Sequence, residues 1–270
     1  MRFKLFISDY DGTLGVAPEN NIHPETLSAI NKFIEKGGIF TVCSGRETSS
    51  ITRILREHNL KGLVVSFQGA RISDIESGKF LFDGGLKKEQ AVELIEALKD
   101  KNLIPLVYAG DSFFYQERND YIKFYEKAVR LTGSVKDVSK EIQNLENGVC
   151  KICWLGDDET VVKTAKEMNE VFKDKGIKFN SGAKNLLEAI NANCGKGQAI
   201  KYIANYYNIP LDKVITVGDS TNDIELVGGE WYGVAVGDGK DEVKAVAKEV
   251  TVPFKDKPVK VLLEKYCLND

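Results

Sequence analysis

The chain has 270 residues, 43% of them hydrophobic and 29% charged, with a formal net charge of −3. That is enough chain for one large domain or two modest ones around a real core. The balance excludes several classes: no basic block suits nucleic acid, no acidic tail suggests a disordered partner segment, and no apolar stretch approaches the roughly 20 residues of a membrane span. The opening MRFKLFISDYDG carries charge too early, and its apolar run is too short, for a secretory leader, so a cytoplasmic protein is expected. Five cysteines, an odd number, argue against a disulfide framework. Cys150 and Cys153 form a C-x-x-C spacing without a second pair for zinc, in an apolar, strand-like setting that suits packing better than metal or redox chemistry. His23 and His58 lack ligand partners at a metal-binding spacing and read as surface histidines.

In chain order, FKLFIS (3–8) reads as a buried strand, 23–38 as a helix stopped by glycines, and IFTVCS (39–44) as a second strand. A helix over 46–60 and a strand LVVSF (63–67) follow. Strand and helix in alternation predict a parallel sheet with right-handed crossovers. The pattern then changes. Residues 71–85 read as a hairpin turning at Glu76–Gly78, 87–100 as an amphipathic helix, and 105–117 as a second hairpin around Ala109–Ser112. Helices near 119–132 and 158–174 flank a strand at 149–155. Alternation resumes with a helix over 195–209, a strand KVITVGD (213–219), a short helix 222–229, a strand 232–237 and a helix 241–250. The expected architecture is α/β: a Rossmann-like parallel-sheet core, discontinuous over 1–83 and 186–270, with an inserted α+β domain over 84–185.

Ligands of open parallel sheets bind outside the carboxyl ends of the strands, and reactive residues gather there in this sequence. The first strand ends on Asp9 and Asp11, the second on Ser44-Gly45-Arg46, and KVITVGD on Asp219, with Asn222 and Asp223 a short turn later; Lys196 opens a helix on the return from the insert. A single aspartate at a strand end is most often a turn former or helix cap. Four from two strand ends crowd negative charge, and all-oxygen donors without His or Cys suit Mg²⁺. Ser44 offers a hydroxyl and Gly45 an open N–H, read here as lying at a helix start, where phosphate is stabilised. Read alone, Ser44 is an N-cap and Lys196 a solvated surface lysine, and Arg46 is either a substrate contact or a first-turn surface arginine.

Metal, anion site and carboxylates together suggest phosphoryl transfer. In such chemistry Asp9 is expected to attack phosphorus in line and form an aspartyl phosphate. Asp11 is expected to protonate the leaving oxygen and later take a proton from water, so its side chain would avoid the metal and only its carbonyl would reach the ion. Gly12 permits the sharp exit turn. Thr13 hydrogen-bonds the Asp9 region and joins the phosphate-binding set. Tyr10 points away, to core or rim.

DYDGTL (9–14), CSGR (43–46), Lys196 in GKG and GDSTND (218–223) resemble the four motifs of the haloacid dehalogenase-like hydrolase superfamily. The long insert between the second and third motifs resembles the Cof-type branch, whose cap is an α/β sandwich (class IIB). The resemblance covers nearly the whole chain. It implies a Mg²⁺-dependent phosphatase of small phosphorylated metabolites, often sugar phosphates. It makes Asp9 the nucleophile and Asp11 the acid/base. Metal falls to Asp9, the Asp11 carbonyl and Asp219, with Asp223 in support. Ser44, Gly45, Lys196 and Asn222 hold the phosphate or order the site. Three departures from the family pattern stand out: Gln68-Gly69-Ala70 for N-G-A, AVGDG (235–239) for A-M-G-N-A, and KDKPVKVLLE (255–264) for the late E-D-G-V; none removes a catalytic group. Specificity is expected in the insert, where Arg118, Asp120 and Lys184 are polar candidates. A phosphomutase or phosphotransferase shares the intermediate, and a receiver-like phosphate-sensing module shares much of the residue set.

Overall fold

A computed structural model describes residues 1–16, 21–129, 131–146 and 148–269. In chain order the elements are β1 (Leu5–Ser8), α1 (Pro24–Glu35), β2 (Ile39–Cys43), α2 (Thr48–Glu57), β3 (Leu63–Ser66), β4 (Arg71–Asp74), β5 (Phe80–Asp83), α3 (Lys88–Leu98), β6 (Ile104–Ala109), β7 (Ser112–Tyr115), α4 (Asp120–Val129), β8 (Ser134–Val135), α5 (Val138–Asn144), β9 (Lys151–Leu155), α6 (Asp158–Val171), β10 (Ile177–Ala183), β11 (Leu186–Asn191), α7 (Lys196–Tyr206), β12 (Val214–Gly218), α8 (Ile224–Val227), β13 (Tyr232–Ala235), α9 (Asp241–Val246), β14 (Glu249–Val250) and α10 (Pro258–Leu263). They divide into two units, Met1–Phe82 with Gly195–Asp270, and Asp83–Cys194.

The first unit is built on an eight-stranded sheet of order β14-β13-β12-β1-β2-β3-β4-β5. From β14 to β3 the pairs are parallel; β4 runs antiparallel to β3. The central strand β1 is buried at every position, as a strand covered on both faces must be. Its alternate residues enter two different cores. Phe6 joins Val42, Val64 and Val217 beneath α1, α2 and α10, while Leu5 and Ile7 join Cys43, Val65 and the Ala199–Ile203 face of α7. Each fully buried Ile, Leu or Phe contributes about 1.5–3 kcal/mol of apolar burial. α1 shows how sequence sets such an element. Pro24 stands at its first position, where no N–H is required, and Thr26, Ala29, Ile30 and Phe33 bury one stripe. The chain winds from β1 outward through β2 and β3, then returns on the other side of β1 through β12 and β13. The carboxyl end of β1 is therefore the point where the winding reverses, the usual place for a ligand in such sheets.

The second unit carries a six-stranded sheet of order β10-β11-β9-β6-β7-β8. Neighbours are antiparallel except β7 and β8. Val107, Phe114, Ile152, Trp154 and Leu187 pack on one side with apolar residues of α3, α5 and α6. The alternate residues Tyr108, Phe113 and Tyr115 meet on the other side, where Phe113 and Tyr125 of α4 make an edge contact at 5.8 Å.

The expected return to the core at residue 186 is corrected. Leu186 begins β11, which pairs with both β10 and β9, so the insert unit runs on to Cys194. The hairpin β10–β11 was not foreseen in the sequence, although its turn carries Asn185 at φ 62°, the left-handed conformation that Asn tolerates. The expected boundary near residue 84 lies within two residues of the division. All five cysteines are free and buried.

Candidate active site

The register places the site. Ser8 pairs with Val217 on one side and Val42 on the other, so the residues that follow these strands leave the sheet edge together. Asp9, 4% exposed, is fixed by its N–H donating to Val217 O at 2.9 Å. Lys196, at the start of α7, is buried and not a surface lysine. Its ammonium donates to Asp9 Oδ1 at 2.5 Å and to Asp223 Oδ1 at 2.6 Å. The other oxygen of Asp223 accepts the N–H groups of Asp219 at 3.1 Å and Ser220 at 3.0 Å. Asp223 thus spans the turn after β12 and anchors Lys196.

Asp9, Asp219 and Asp223 each offer a carboxylate oxygen, and these atoms lie within 4.8 Å of one another. Three carboxylates against one ammonium leave a formal charge of minus two. An all-oxygen donor set with that deficit fits a hard divalent cation. The strain shows in the titration behaviour. Burial, followed by repulsion from Asp223, pushes the Asp9 carboxyl up to about 8 against the pull of Lys196. Burial likewise raises Asp219 to about 6, with the Thr13 hydroxyl working in the opposite direction. Burial opposes the charge on Lys196, but Asp223 and Asp9 hold it well above the usual lysine range.

The Asp11 carboxylate does not join this cluster. It turns to Arg46, whose Nε and Nη2 donate to its two oxygens at 2.7 and 2.5 Å. The guanidinium carbon lies 4.7 Å from the centre of the Tyr10 ring, so the arginine is held from two sides. Neither sequence reading of Arg46, substrate contact or loose surface residue, anticipated this. The Thr13 hydroxyl donates to Asp219 Oδ1 at 2.7 Å, the carboxylate beside Asp9. Gly12 explains why DxDG can make this turn. Its φ is 81°, and a Cβ there would stand 2.7 Å from Asp219 Oδ2.

Ser44 is buried at the end of β2, with its hydroxyl accepting the Arg46 N–H at 3.2 Å. α2 begins only at Thr48, so Gly45 belongs to a turn ahead of the helix and not to the helix start. Asn222 donates to Gln68 Oε1 at 3.2 Å, a partner that sequence reasoning missed; the only signal was Gln in place of the family's Asn. In the insert unit, Arg118 is committed to buried Glu126 at 2.9 and 2.7 Å, Asp120 pairs with Lys123 at 2.9 Å, and Lys184 is exposed. No helix among the described residues is long and apolar enough to cross a membrane.

Comparison with known proteins bears on what this cluster does. The sequence profile described as haloacid dehalogenase-like hydrolase matches residues 6–262. The chain is 26% identical over 243 residues to an HMP-PP phosphatase of Klebsiella pneumoniae, covering 90% of this chain and 87% of that one. It is 25% identical over 267 residues to the 5-amino-6-(5-phospho-D-ribitylamino)uracil phosphatase of Bacillus subtilis, covering 97% of each. Among solved structures, a HAD/COF-like hydrolase from Plasmodium vivax superposes with a TM-score of 0.84 at 27% identity, over 98% of this chain and 95% of that one. A Thermotoga maritima protein superposes with a TM-score of 0.86 at 23% identity, over 99% and 100% of the two chains. With its sequence matched almost end to end and its acidic cluster at the reversal point of the sheet, the chain belongs to the haloacid dehalogenase-like hydrolases, in their Cof-type branch, and is a phosphoric monoester hydrolase.

Proposed function

We propose that the protein is a Mg²⁺-dependent phosphatase of small phosphorylated metabolites, with sugar phosphates foremost, working through an aspartyl phosphate on Asp9. The observation that carries this reading is the charge deficit around Asp9. A buried lysine satisfies one oxygen of the nucleophile, and three neighbouring carboxylates against that one ammonium leave a formal deficit that a divalent ion would balance. Asp9 and Asp219 would hold the ion, with the Asp11 carbonyl; Asp223, both of whose oxygens already accept hydrogen bonds, contributes its charge. Mg²⁺, when bound, supplies neutralisation between carboxylate and phosphate.

The residues of the chain do the rest. The free oxygen of Asp9 attacks phosphorus, the bond to the leaving oxygen breaks, and Asp11 gives that oxygen a proton. Asp11 then accepts a proton from water as the water attacks phosphorus; the bond to Asp9 breaks and inorganic phosphate leaves. Ser44, Gly45, Lys196 and Asn222 hold the phosphoryl oxygens. Arg46 keeps Asp11 oriented and away from the acidic cluster. A second carboxylate poised in this way has no task in a receiver-like module, which favours turnover. The substrates named for the two curated relatives support small phosphorylated metabolites as the class. The insert unit is the proposed seat of specificity. Five free, buried cysteines agree with a reducing compartment such as the cytoplasm.

The test is steady release of phosphate from p-nitrophenyl phosphate, abolished by chelator and restored by Mg²⁺. Asp9→Asn, nearly isosteric, is expected to lower turnover by at least about a thousandfold while remaining folded. Normal turnover in that variant would refute the nucleophile assignment. Incubation with a sugar bisphosphate, followed by product analysis, separates hydrolysis from transfer to a sugar hydroxyl.

A further inference from the structure

Phe67 and Gln68 close the carboxyl end of β3 with consecutive positive φ angles of 51° and 58°. Side chains other than Asn, Asp and Gly disfavour this region, and two in succession persist only where their surroundings fix them. The fixing contacts are on the second motif. Phe67 N–H donates to Arg46 O at 2.9 Å and Gln68 N–H donates to Ser44 O at 3.1 Å, so the turn Ser44–Gly45–Arg46 is pinned at both ends.

The Gln68 side chain then lies against Gly45. A Cβ at Gly45 would stand 2.3 Å from Gln68 Nε2, so a side chain there would push the amide out of this place. At its other end Gln68 Oε1 accepts Asn222 Nδ2 at 3.2 Å. With the oxygen held by Asn222, the amide plane is oriented and the Nε2 protons are presented beside Gly45. No acceptor for them is found among the described residues. An oriented amide donor with no acceptor among the described residues, set between two residues assigned to the phosphate, is placed to receive an anion.

We propose that Gln68 is a further phosphate-binding residue, its Nε2 donating to a phosphoryl oxygen held beside Gly45. This rests on the phosphatase reading above and adds a ligand to the same site. The strained backbone is the means by which the amide is aimed.

Inorganic phosphate is the probe, used as a competitive inhibitor of p-nitrophenyl phosphate hydrolysis and, by calorimetry, as a ligand of the Mg²⁺-loaded protein. Q68E keeps an oxygen for Asn222 but removes the donor and adds a charge; phosphate binding is expected to weaken about a hundredfold. Q68A is expected to weaken it about tenfold, the loss of one hydrogen bond to an ion. Q68N enters the left-handed region more readily but carries its amide one methylene short. It is expected to melt no lower than the wild-type protein while binding phosphate about tenfold more weakly, a split that a purely structural role would not give. Phosphate affinities within twofold of wild type in folded Q68A and Q68N would overturn the proposal, whatever Q68E does. Absence of turnover in the wild-type protein would instead strike the phosphatase reading, and calorimetry would still decide the role of Gln68.

Discussion

Each unit of this protein buries a lysine against carboxylate, and the two sites differ in how the charge balances. In the insert unit, Lys151 on β9 meets Glu188 on β11 at 2.6 Å, one charge for one, with the ammonium 5.0 Å from the centre of the Tyr108 ring. In the core unit, Lys196 serves Asp9 and Asp223 together and has Asp219 close by. The first arrangement is complete within the chain. The second is not: burial first, and repulsion from Asp223 after it, push Asp9 up to about 8. Buried charge by itself therefore says little about function; an uncompensated remainder at the reversal point of a parallel sheet says a good deal.

Removing the lysines should break this contrast most visibly. Lys196→Met leaves two carboxylates buried without a cation, and breaking such a pair costs about 3–5 kcal/mol. Urea unfolding should show that loss together with near-complete loss of turnover. Lys151→Met strands Glu188, whose side chain keeps 19% exposure to water. The expected cost is about 2 kcal/mol with turnover retained on p-nitrophenyl phosphate. Equal losses in the two variants would contradict the comparison.

A pH series sharpens it without mutation. A carboxyl whose folded pKa lies above its unfolded value of 3.8 binds more protons folded than unfolded. The contribution of Asp9 to stability is thus fully present below about pH 4 and is lost as the pH rises toward 8; that of Asp219 is lost over the lower part of the same range, toward about 6. Mg²⁺ should counter this. At a hundredfold excess over its dissociation constant it stabilises by about 2.7 kcal/mol. The gain in melting temperature should therefore be larger at pH 8 than at pH 5, where protons compete for the same oxygens. In Asp9→Asn the difference between the two pH values should shrink; an unchanged difference would place the titrating group elsewhere.

The smallest expected effect concerns the partly exposed pair of Asp11 and Arg46. Arg46→Lys keeps the charge but loses the fork and the stacking on Tyr10. Stability should change by no more than about 1 kcal/mol. Turnover should fall about tenfold for alkyl phosphates, which need a proton on departure, and less for p-nitrophenyl phosphate, which does not. An equal fall for both substrates would show that Arg46 does not act through Asp11.

How much of this could be read from the chain depends on the range of the interaction involved. Strand, helix and strand up to residue 67 are written in local periodicity, and the parallel winding follows from it. The hairpin β10–β11 escaped because its alternation is short and its turn lies in a polar stretch, and the expected boundary at 186 went astray with it. The aspartates of DYDGTL were legible as a cluster because they are neighbours in sequence. Their partners were not. Thr13 bonds a residue 206 positions away, Lys196 bonds one 187 positions away, and Arg46 reaches back 35 positions to Asp11.

By itself, then, the sequence determined which residue types stand at the strand ends, because strands buried on both faces, such as β1 and β12, keep their charged groups for the point where they leave the sheet. It also determined that the clustered carboxylates offer hard oxygen donors, since all three are aspartates. Tertiary structure alone decided which carboxylate takes the lysine, which takes the threonine, and which is drawn off by an arginine. Those choices rest on distances of a few ångströms between strands wound in opposite directions from β1, and no local pattern of residues encodes them.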